Sequence, residues 1–345
     1  MKKVIRIVLI LGLIFGLYVA GVLIYGTVTD FQPEELIDIS IEGNPSTSPD
    51  STFTFVTWNI GFTALGEETD FFYDGGTTVI QTEEIVKKNR EGMAEIIAEL
   101  DADVYLFQEV DSVAKRSHRV NHVDFFAEAI PNHSHAFAVN YQVDFVPVPL
   151  YKPMGKVISG LANYSRFPST NAERHAYPTQ FSWPTSIFFL DRCFLSQRIP
   201  LDNGKELIAI NTHCSAYDTS GTLVAEEIKL LMDFASAEFD KGNYVVIGGD
   251  WNQCPPNYTP KNPDPASYGE FILEEDQLPE GFSWVADPTI PTNRKLETVY
   301  TDSSYTSVID HFVVSSNVQV ERVQVVDHDF AFSDHQPVTL EFRLK

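Results

Sequence analysis

Cysteine and basic residues are both scarce in this chain. Its 345 residues include 3 cysteines, Cys193, Cys214 and Cys254, too few and too scattered for a disulfide framework or a zinc site. One bridge between Cys214 and Cys254 is conceivable in an oxidising compartment, and buried free thiols are the alternative. Lys and Arg number 24 against 48 Asp and Glu, which gives a formal charge of −24. This balance argues against bulk electrostatic binding of nucleic acid, but it allows a nuclease whose bound divalent cation supplies positive charge locally.

Internal repeats and low-complexity tracts are also missing from the sequence. Hydrophobic residues make up 43% of the chain and aromatic residues 12%, which is ample for a buried core. The length allows one large α/β domain or two smaller ones.

The first 26 residues predict a membrane segment. Lys2, Lys3 and Arg6 precede an uncharged apolar run over 7–25, which as a helix nearly spans a hydrocarbon core of ~30 Å. A cleaved signal peptide usually has a shorter apolar region, and the sequence around Ala20 is a poor match to its cleavage site. We therefore expect a retained single-pass anchor with a cytoplasmic N-terminus and an extracytoplasmic catalytic domain. A cleaved signal peptide is the alternative.

Residues 27–51 predict a linker between this anchor and the domain. They are polar, acidic and dotted with proline, without a sustained period. The globular part, 52–345, begins with the β-branched and aromatic alternation of a strand. Residues 255–298 have no clear periodicity, and irregular connections of this length are usually functional or disordered. This stretch could shape a substrate cleft.

Strand and helix patterns alternate along the globular part. Strands are predicted over 52–57, 104–107, 187–195 and 206–210. Apolar residues at helical spacing predict helices over 83–100 and 222–239, and a shorter helix around 124–129. This order indicates an α/β layered domain.

The most informative stretch runs from Tyr244 to Asn252. A buried β-branched run over 245–247 is stopped by two glycines, after which Asp250 and Asn252 stand two residues apart. Residues at i and i+2 of an extended segment point to the same side. We therefore expect both side chains in one pocket at the carboxyl end of a strand. A plain turn is the alternative, because Gly, Asp and Asn are ordinary turn residues.

Apolar strands repeatedly end in residues suited to metal or proton chemistry. These residues are Asn59, Glu109, His213, Asp250 with Asn252, Asp310, and Asp334 with His335. So many strand ends of this kind are hard to attribute to turn composition alone.

The residue types at these strand ends fit a phosphate-ester chemistry. Glu109 and Asp334 are hard oxygen ligands suited to Mg²⁺, with Mn²⁺ possible, rather than to zinc. His335 with a carboxylate partner can stay protonated toward a phosphate, and Asp250 can accept a proton from an attacking water. Asn59, His213 and Asn252 are donors that can stabilise charge on phosphorus.

Ordered motifs carry a resemblance to a known family. The chain resembles the endonuclease/exonuclease/phosphatase superfamily (deoxyribonuclease I-like) in Trp58-Asn59-Ile60, Gln108-Glu109, Ser165-Arg166-Phe167-Pro168, Asn211-Thr212-His213, Gly249-Asp250-Trp251-Asn252, Ile309-Asp310-His311 and Ser333-Asp334-His335. The resemblance covers nearly everything over 52–345. It implies a four-layered α/β sandwich, with two packed mixed β-sheets flanked by helices, and an Mg²⁺-dependent attack of water on a phosphate ester.

The resemblance also implies roles for the metal and water chemistry. Glu109 looks like the principal metal ligand, with Asp334 and Asn59 close to the metal. Asp250 resembles the residue that activates water, and Asn252 the group that holds the phosphate.

The histidines divide into catalytic and structural ones under the same resemblance. His335, hydrogen-bonded to Asp310, resembles the His–Asp pair at the scissile phosphate, and His213 is similar to a second histidine on the phosphate. His311 and Arg166 are expected to be structural.

A basic patch follows Glu109 closely in the sequence. Arg116, Arg119 and Asn121 could contact a phosphate or a headgroup, although no motif of the superfamily supports them. A solvated turn that leads into the helix around 124–129 is the alternative.

The leading hypothesis is a membrane-tethered, Mg²⁺-dependent phosphodiesterase at the cell surface. Its substrate would be a lipid headgroup or a small phosphorylated molecule, and no obligate protein partner is evident. A secreted or surface-tethered nuclease is the alternative. A binding module that kept the fold and lost the chemistry is a third hypothesis, which the complete set of motif residues disfavours.

Overall fold

The computed structural model describes residues 1–45, 47–49, 51–178, 181–216, 221–259 and 272–345. Within them the α-helices are α1 (Lys2–Val28), α2 (Glu83–Leu100), α3 (His122–Ala129) and α4 (Thr222–Asp240). The strands are β1 (Leu36–Asp38), β2 (Ile41–Glu42), β3 (Thr52–Asn59), β4 (Val104–Ala114), β5 (Ser134–Val146), β6 (Gly155–Ser165), β7 (Asn171–Ala176), β8 (Cys193–Pro200), β9 (Glu206–His213), β10 (Tyr244–Asp250), β11 (Phe282–Val285), β12 (Asn293–Arg294), β13 (Thr306–Ser307), β14 (Asp310–Ser315), β15 (Val318–Val325) and β16 (Val338–Leu344).

Two mixed sheets form the centre of the described structure. The first has the order β15-β16-β3-β4-β6-β5-β2 and the second the order β1-β7-β8-β9-β10-β14-β11. The parallel pairs lie inside the sheets, β3 with β4 in the first and β9 with β10 in the second. Parallel neighbours need a crossover connection, which α2 supplies in the first sheet and α4 in the second.

Side-chain alternation along the strands separates an inner from an outer face. Phe55 and Leu106 of the first sheet pack against Val246 and Phe312 of the second, in one core between the sheets. Each such fully buried side chain contributes roughly 1.5–3 kcal/mol. Their sequence neighbours face outward, because successive residues of a strand point to opposite faces. The sheets are therefore packed face to face.

Helices cover both outer faces. Met93 and Ile97 of α2 pack with Tyr105 of β4 on the outside of the first sheet. Leu231 of α4 packs with Val245 of β10 on the outside of the second. The fold is the four-layered α/β sandwich with two mixed sheets that the motifs implied.

The predicted helix over 83–100 has the bounds that its end signals indicate. The Thr82 side chain accepts a hydrogen bond from the Ile85 N–H at 3.4 Å, as an N-cap does. Asp101 takes the left-handed conformation just after the last helical residue. The predicted helix over 222–239 is also present, extended by one residue.

Helix α1 is long and apolar enough to cross a membrane, and its apolar stretch lies outside the folded core. A signal sequence near an N-terminus has the same features. At the C-terminal end of the helix, Gly26 is buried against the domain.

The stretch predicted as a polar acidic linker, 27–51, contains two short strands. Strand β1 pairs with β7 at one edge of the second sheet, and β2 pairs with β5 at one edge of the first. Pairing at an edge uses main-chain groups, so the polar composition of this stretch did not indicate it.

Two other sequence predictions need correction. The strand predicted over 187–195 begins only at Cys193, and Ser186–Phe188 is a short 3-10 helix. Ile187 and Phe188 contact Gly26 of α1, and Phe188 also packs on Tyr141 of β5, so this short apolar run resembles a strand in sequence although it pairs with none. Within 255–298, β11 pairs with β14 and β12 with β13, while 260–271 lie outside the described residues. All three cysteines are buried, and Cys193 and Cys214 are free thiols.

Candidate active site

Three of the predicted site residues lie side by side across the second sheet. Asp250 ends β10 and is in register with His213, the last residue of the parallel strand β9. On its other side, Asp250 is in register with Asp310, the first residue of the antiparallel strand β14. The adjoining glycine allows this close spacing, since a Cβ on Gly249 would lie 2.1 Å from the Thr212 carbonyl oxygen.

Asn59 and Glu109 reach the same place from the first sheet. Asn59 ends β3 and is in register with Gln108 of β4. The next residue, Glu109, has a φ of +56°, and the strand register shifts between Phe107 and Val110. The prediction that a strand ends before Glu109 is therefore wrong: β4 continues to Ala114, and a bulge turns the carboxylate out of the ladder.

The expectation that every site residue ends a strand is also wrong. Asp310 begins β14, and Asp334 and His335 precede β16. These strands run antiparallel to β10 and β3, so their amino ends lie at the edge where the parallel strands have their carboxyl ends. The segment before β16 is held there because the Trp58 indole N–H donates to the His335 carbonyl at 2.9 Å.

Asn252 reaches the site differently from its prediction. It lies beyond the end of β10 with a φ of +52°, so the i and i+2 geometry of an extended strand does not apply. Its backbone N–H donates to Asp250 Oδ1 at 2.9 Å, and its amide Nδ2 donates to the Cys214 carbonyl at 2.9 Å. The side chain still lines the same cleft as Asp250.

His335 is held by two buried carboxylates. Its Nδ1 lies 2.8 Å from Asp310 Oδ2, and its Nε2 lies 3.7 Å from Asp250 Oδ2. Burial alone would lower the pKa of His335, but the charges of Asp310 and Asp250 raise this pKa well above the usual histidine value. The ring is therefore an imidazolium that Asp310 orients.

Asp250 links the two sheets. The Asn59 Nδ2 donates to Asp250 Oδ2 at 2.9 Å, and His213 Nε2 lies 3.5 Å from the same oxygen. Burial raises the pKa of Asp250 to about 6, while the positive charge of His335 opposes this rise. At neutral pH the carboxylate is therefore mostly ionised yet basic enough to accept a proton.

His213 is a neutral histidine at the same cleft. Burial, followed by the charges of Arg192 and His335, lowers its pKa well below the usual value. Its Nδ1 has no hydrogen-bond partner among the described residues. Buried polar atoms are normally paired, so this nitrogen is available to a ligand.

The predicted metal ligands have the chemistry of a divalent-cation site. Burial, with Glu109 close by, raises the pKa of Asp334 to about 7. Both carboxylates line the cleft, and Asn59 donates to Glu109 Oε1 at 3.3 Å. A Cβ on Gly61 would lie 2.7 Å from Asp334 Oδ1, so any larger residue there would displace the Asp334 carboxylate. A buried carboxylate beside a half-buried one, as here, fits a hard cation such as Mg²⁺ or Mn²⁺.

A second group of side chains also has the spacing of metal ligands. Ligand atoms of Asp250, Asp310 and His335 lie within 4.8 Å of one another. This group can bind a metal only when His335 has lost its proton, because an imidazolium has no lone pair to offer.

The basic patch reaches the cleft only in part. Arg116 lines it, but its guanidinium is buried and makes two hydrogen bonds to Asp111, at 2.9 and 3.1 Å. Arg119 is exposed and does not line this cleft. Asn121 is the N-cap of α3, where its side chain accepts from the Val123 N–H. The alternative prediction, a turn that leads into a helix, describes these last two residues.

Sequence reasoning missed Asn293 in the cleft. Its Nδ2 lies 2.9 Å from His335 Nε2, and the two residues form an isolated β-bridge. Two donors cannot share a hydrogen bond, so with His335 as an imidazolium this contact requires the Asn293 amide to be flipped, with its oxygen toward Nε2. The only signal in the sequence was that Asn293 falls in the long stretch expected to shape a cleft.

The cleft has a chemical side and an apolar side, and it encloses about 210 Å³. The chemical side consists of Glu109, His213, Asp250, Asn252, Asn293, Asp334 and His335, with Asn59 and Asp310 behind it. The apolar side consists of Phe62, Leu65, Phe71, Tyr73, Phe188, Phe189 and Leu190. Arg192, also in the wall, donates to the His213 carbonyl at 3.2 Å and supports that strand end.

Comparison with known proteins gives a family match. Residues 56–335 match the model of the Endonuclease/Exonuclease/phosphatase family. This match covers most of the chain and includes the site residues from Asn59 to His335. No curated protein sequence matches the chain.

Solved structures share the fold at low sequence identity. An endonuclease/exonuclease/phosphatase from Beutenbergia cavernae is 18% identical with a TM-score of 0.60, over 86% of this chain and 72% of that one. The human Nocturnin catalytic domain with bound sulfate is 13% identical, with a TM-score of 0.53 over 89% and 98%. D. rerio TDP2 complexed with a single-strand DNA product is 12% identical, with a TM-score of 0.53 over 85% and 100%.

Proposed function

Because this chain belongs to the endonuclease/exonuclease/phosphatase family, whose members are typically metal-dependent phosphate-ester hydrolases, we propose that it is an Mg²⁺-dependent phosphodiesterase. One observation carries the proposal. The oriented imidazolium of His335, the basic carboxylate of Asp250 and the carboxylates of Glu109 and Asp334 line a single cleft. A proton acceptor, a fixed positive charge and a hard-cation site are the groups that attack of water on a phosphate ester needs.

Each of these residues has a separate role in the proposed reaction. Asp250 accepts the proton of the attacking water, because it is buried, ionised and held by Asn59. The His335 imidazolium donates through Nε2 to a phosphoryl oxygen and balances its growing negative charge. A divalent cation held by Glu109 and Asp334 would polarise a phosphoryl oxygen as a Lewis acid.

Asn252 and His213 complete the phosphate site. An amide has two N–H donors, and the contact of Asn252 with Cys214 uses one of them. The other N–H can bind a phosphoryl oxygen. His213 can hold another through its unpaired ring nitrogen.

The proposed substrate is a lipid headgroup or a small phosphate diester, and the proposed location is the outer face of a membrane. The charge of −24 opposes binding of a long polyanion, whose affinity comes mainly from neutralised phosphates. The basic residues in the first turns of α1 and the acidic residues after the helix favour a cytoplasmic N-terminus and a retained anchor.

A nuclease is the second candidate, because one structural neighbour, D. rerio TDP2, was solved with a single-strand DNA product. The cleft can hold a phosphate from either kind of substrate. A binding module without catalytic activity is disfavoured by the complete set of site residues.

The test is hydrolysis by the full chain in detergent, with Mg²⁺ and then with EDTA. Bis-p-nitrophenyl phosphate, p-nitrophenyl phosphate, phospholipids, single-stranded DNA and plasmid DNA are compared in parallel. We expect Mg²⁺-dependent turnover of the diester that Asp250→Asn abolishes and that Asp233→Asn, an exposed acid on α4, leaves intact. Turnover of DNA alone would favour the nuclease. No turnover of any substrate, with Mg²⁺ shown to bind, would overturn the proposed activity on these substrates.

A further inference from the structure

The end of α1 docks on one short segment of the domain. A Cβ on Gly26 would lie 3.0 Å from Ile187 Cδ1 and 3.2 Å from Phe188 Cε1, so the helix backbone rests directly on these side chains. One residue further on, Thr27 Oγ1 accepts a hydrogen bond from the Trp183 indole N–H at 3.1 Å. The segment over 183–188 is therefore the place where the chain passes from anchor to domain.

This docking segment is also part of the cleft wall. Phe188 lines the cleft together with Phe189 and Leu190. The Tyr141 hydroxyl of β5 donates to the Phe188 carbonyl at 3.1 Å, and Phe188 packs with Tyr141 and Met154 in one cluster. Helix α1 itself contacts β5. The anchor and the apolar side of the cleft are thus joined through the same side chains.

Strand β5 continues from this contact into a hairpin whose tip is apolar and exposed. Between β5 and β6, Leu150 is 59% exposed and Tyr151 is 78% exposed, and Val148 is exposed beside them. Trp183, which contacts Thr27 near the end of α1, is 60% exposed. Contiguous exposed apolar side chains mark interaction surfaces, and Trp and Tyr concentrate where a protein meets a membrane interface.

Lysines lie at the base of this hairpin. Lys115 Nζ donates to the Pro153 carbonyl at 2.9 Å, and Lys152 Nζ donates to the Ile80 carbonyl at 3.2 Å. Both contacts are to neutral carbonyl groups, so each lysine brings its charge to the hairpin. In a chain with a formal charge of −24, these lysines suit a surface that meets anionic headgroups.

We propose that the hairpin tip over 148–151 and Trp183 form a docking surface for the bilayer that holds α1. The proposal rests on the membrane anchoring proposed above, and it adds an orientation to it. With the tip and Trp183 in the headgroup region, the apolar side of the cleft continues into the lipid surface. The phosphate site beyond Phe188 then faces esters carried by the same membrane.

The test places a fluorescent label on the hairpin in the full chain, reconstituted in nanodiscs of phosphatidylcholine and phosphatidylglycerol. Leu150→Cys and Tyr151→Cys are labelled with a polarity-sensitive dye, and the three native cysteines are buried. Leu230→Cys on α4 is the matched control, since Leu230 is also an exposed leucine. Quenching by a headgroup nitroxide lipid and by aqueous iodide is measured for each label.

We expect the labels at 150 and 151 to be quenched by the nitroxide lipid and to show iodide quenching at least about twofold weaker than the label at 230. Emission of the two hairpin labels is also expected at shorter wavelength than that of the control label. Equal iodide quenching at all three positions, with the chain retained in the discs, would overturn the docking surface.

Turnover of bis-p-nitrophenyl phosphate in the same discs separates this proposal from the proposed activity. Turnover with all labels exposed to water would support the proposed activity and overturn the docking surface. Lipid-quenched labels without turnover would support the docking surface and count against the enzyme. A chain that does not stay with the discs would overturn the anchor and the docking surface together.

Discussion

Asp310→Asn is the most direct test of the proposed mechanism, because it changes one buried atom pair and leaves the side-chain volume almost unchanged. Asp310 Oδ2 accepts the 2.8 Å hydrogen bond from His335 Nδ1, and both side chains are buried. A hydrogen bond to a charged group contributes about 1.5–3 kcal/mol. Each 1.36 kcal/mol in a barrier is a factor of ten in rate. The replacement amide can still accept this hydrogen bond but carries no charge, and loss of the charged contact in the transition state therefore predicts a fall of about 10- to 150-fold in kcat/KM.

The assay is Mg²⁺-dependent hydrolysis of bis-p-nitrophenyl phosphate, with thermal unfolding followed in parallel. Asp233→Asn makes the same chemical change at an exposed position of α4 and should leave kcat/KM unchanged. His335→Asn should lose at least as much activity as Asp310→Asn. The double variant should lose little more than the greater of the two single losses, because the pair acts as a unit. A kcat/KM for Asp310→Asn within about threefold of the parent would refute the role of this pair, since positioned acid–base groups typically contribute 10²–10⁴-fold.

Three further predictions test the fold, the metal site and an ion pair away from the cleft. Gly249→Ala should lower the free energy of unfolding by at least about 1–3 kcal/mol in urea denaturation, because the added Cβ would lie 2.1 Å from a carbonyl oxygen of β9. Unchanged stability would contradict the β9–β10 register. Mg²⁺ at a hundred times its dissociation constant should raise the free energy of unfolding of the parent chain by about 2.7 kcal/mol, and Glu109→Gln should remove this gain. If the gain persists in the variant, the ion binds elsewhere. Burial would raise the pKa of Glu238, but hydrogen bonds from Arg198 and its neighbours lower it to about 2 from the usual 4.5. The stabilisation by ionised Glu238 is therefore complete above pH ~4.5 and is lost as the pH falls toward ~2. Glu238→Gln should lower the free energy of unfolding by about 1.5–3 kcal/mol at neutral pH. Between pH ~4.5 and ~2 the free energy of unfolding of this variant should depend less on pH than that of the parent chain.

The ends of strands were predictable because each depends on a short run of residues. The run over 245–247 with the glycines behind it indicates a buried strand that stops before Asp250, and β10 ends there. Helix α2 was equally predictable from the sequence, because its cap at Thr82 and its apolar spacing are local signals. Local signals of this kind placed Asn59, His213 and Asp250 at strand ends before any pairing was known.

Features without a local signal were mispredicted or missed. Arg119 and Asn121 follow Glu109 closely in sequence, but β4 continues past Glu109 to Ala114, and neither residue lines the cleft. Asn293 comes to His335 through a single β-bridge between segments far apart in the chain. Neither outcome could be read from composition, because both depend on where distant segments pair.

The sequence was sufficient to specify which chemical groups the site would use, since motif residues and strand patterns are short-range properties. It also specified the apolar length of α1. Only the tertiary structure showed which of these residues contact one another. The register of β9, β10 and β14 brings Asp310 into line with Asp250, and packing of the sheets brings Asn59 to the same carboxylate. The contact of Gly26 with Phe188 joins α1 to the cleft wall in the same way. Such contacts join residues that are remote in the chain, and only the packing of whole sheets and helices determines them.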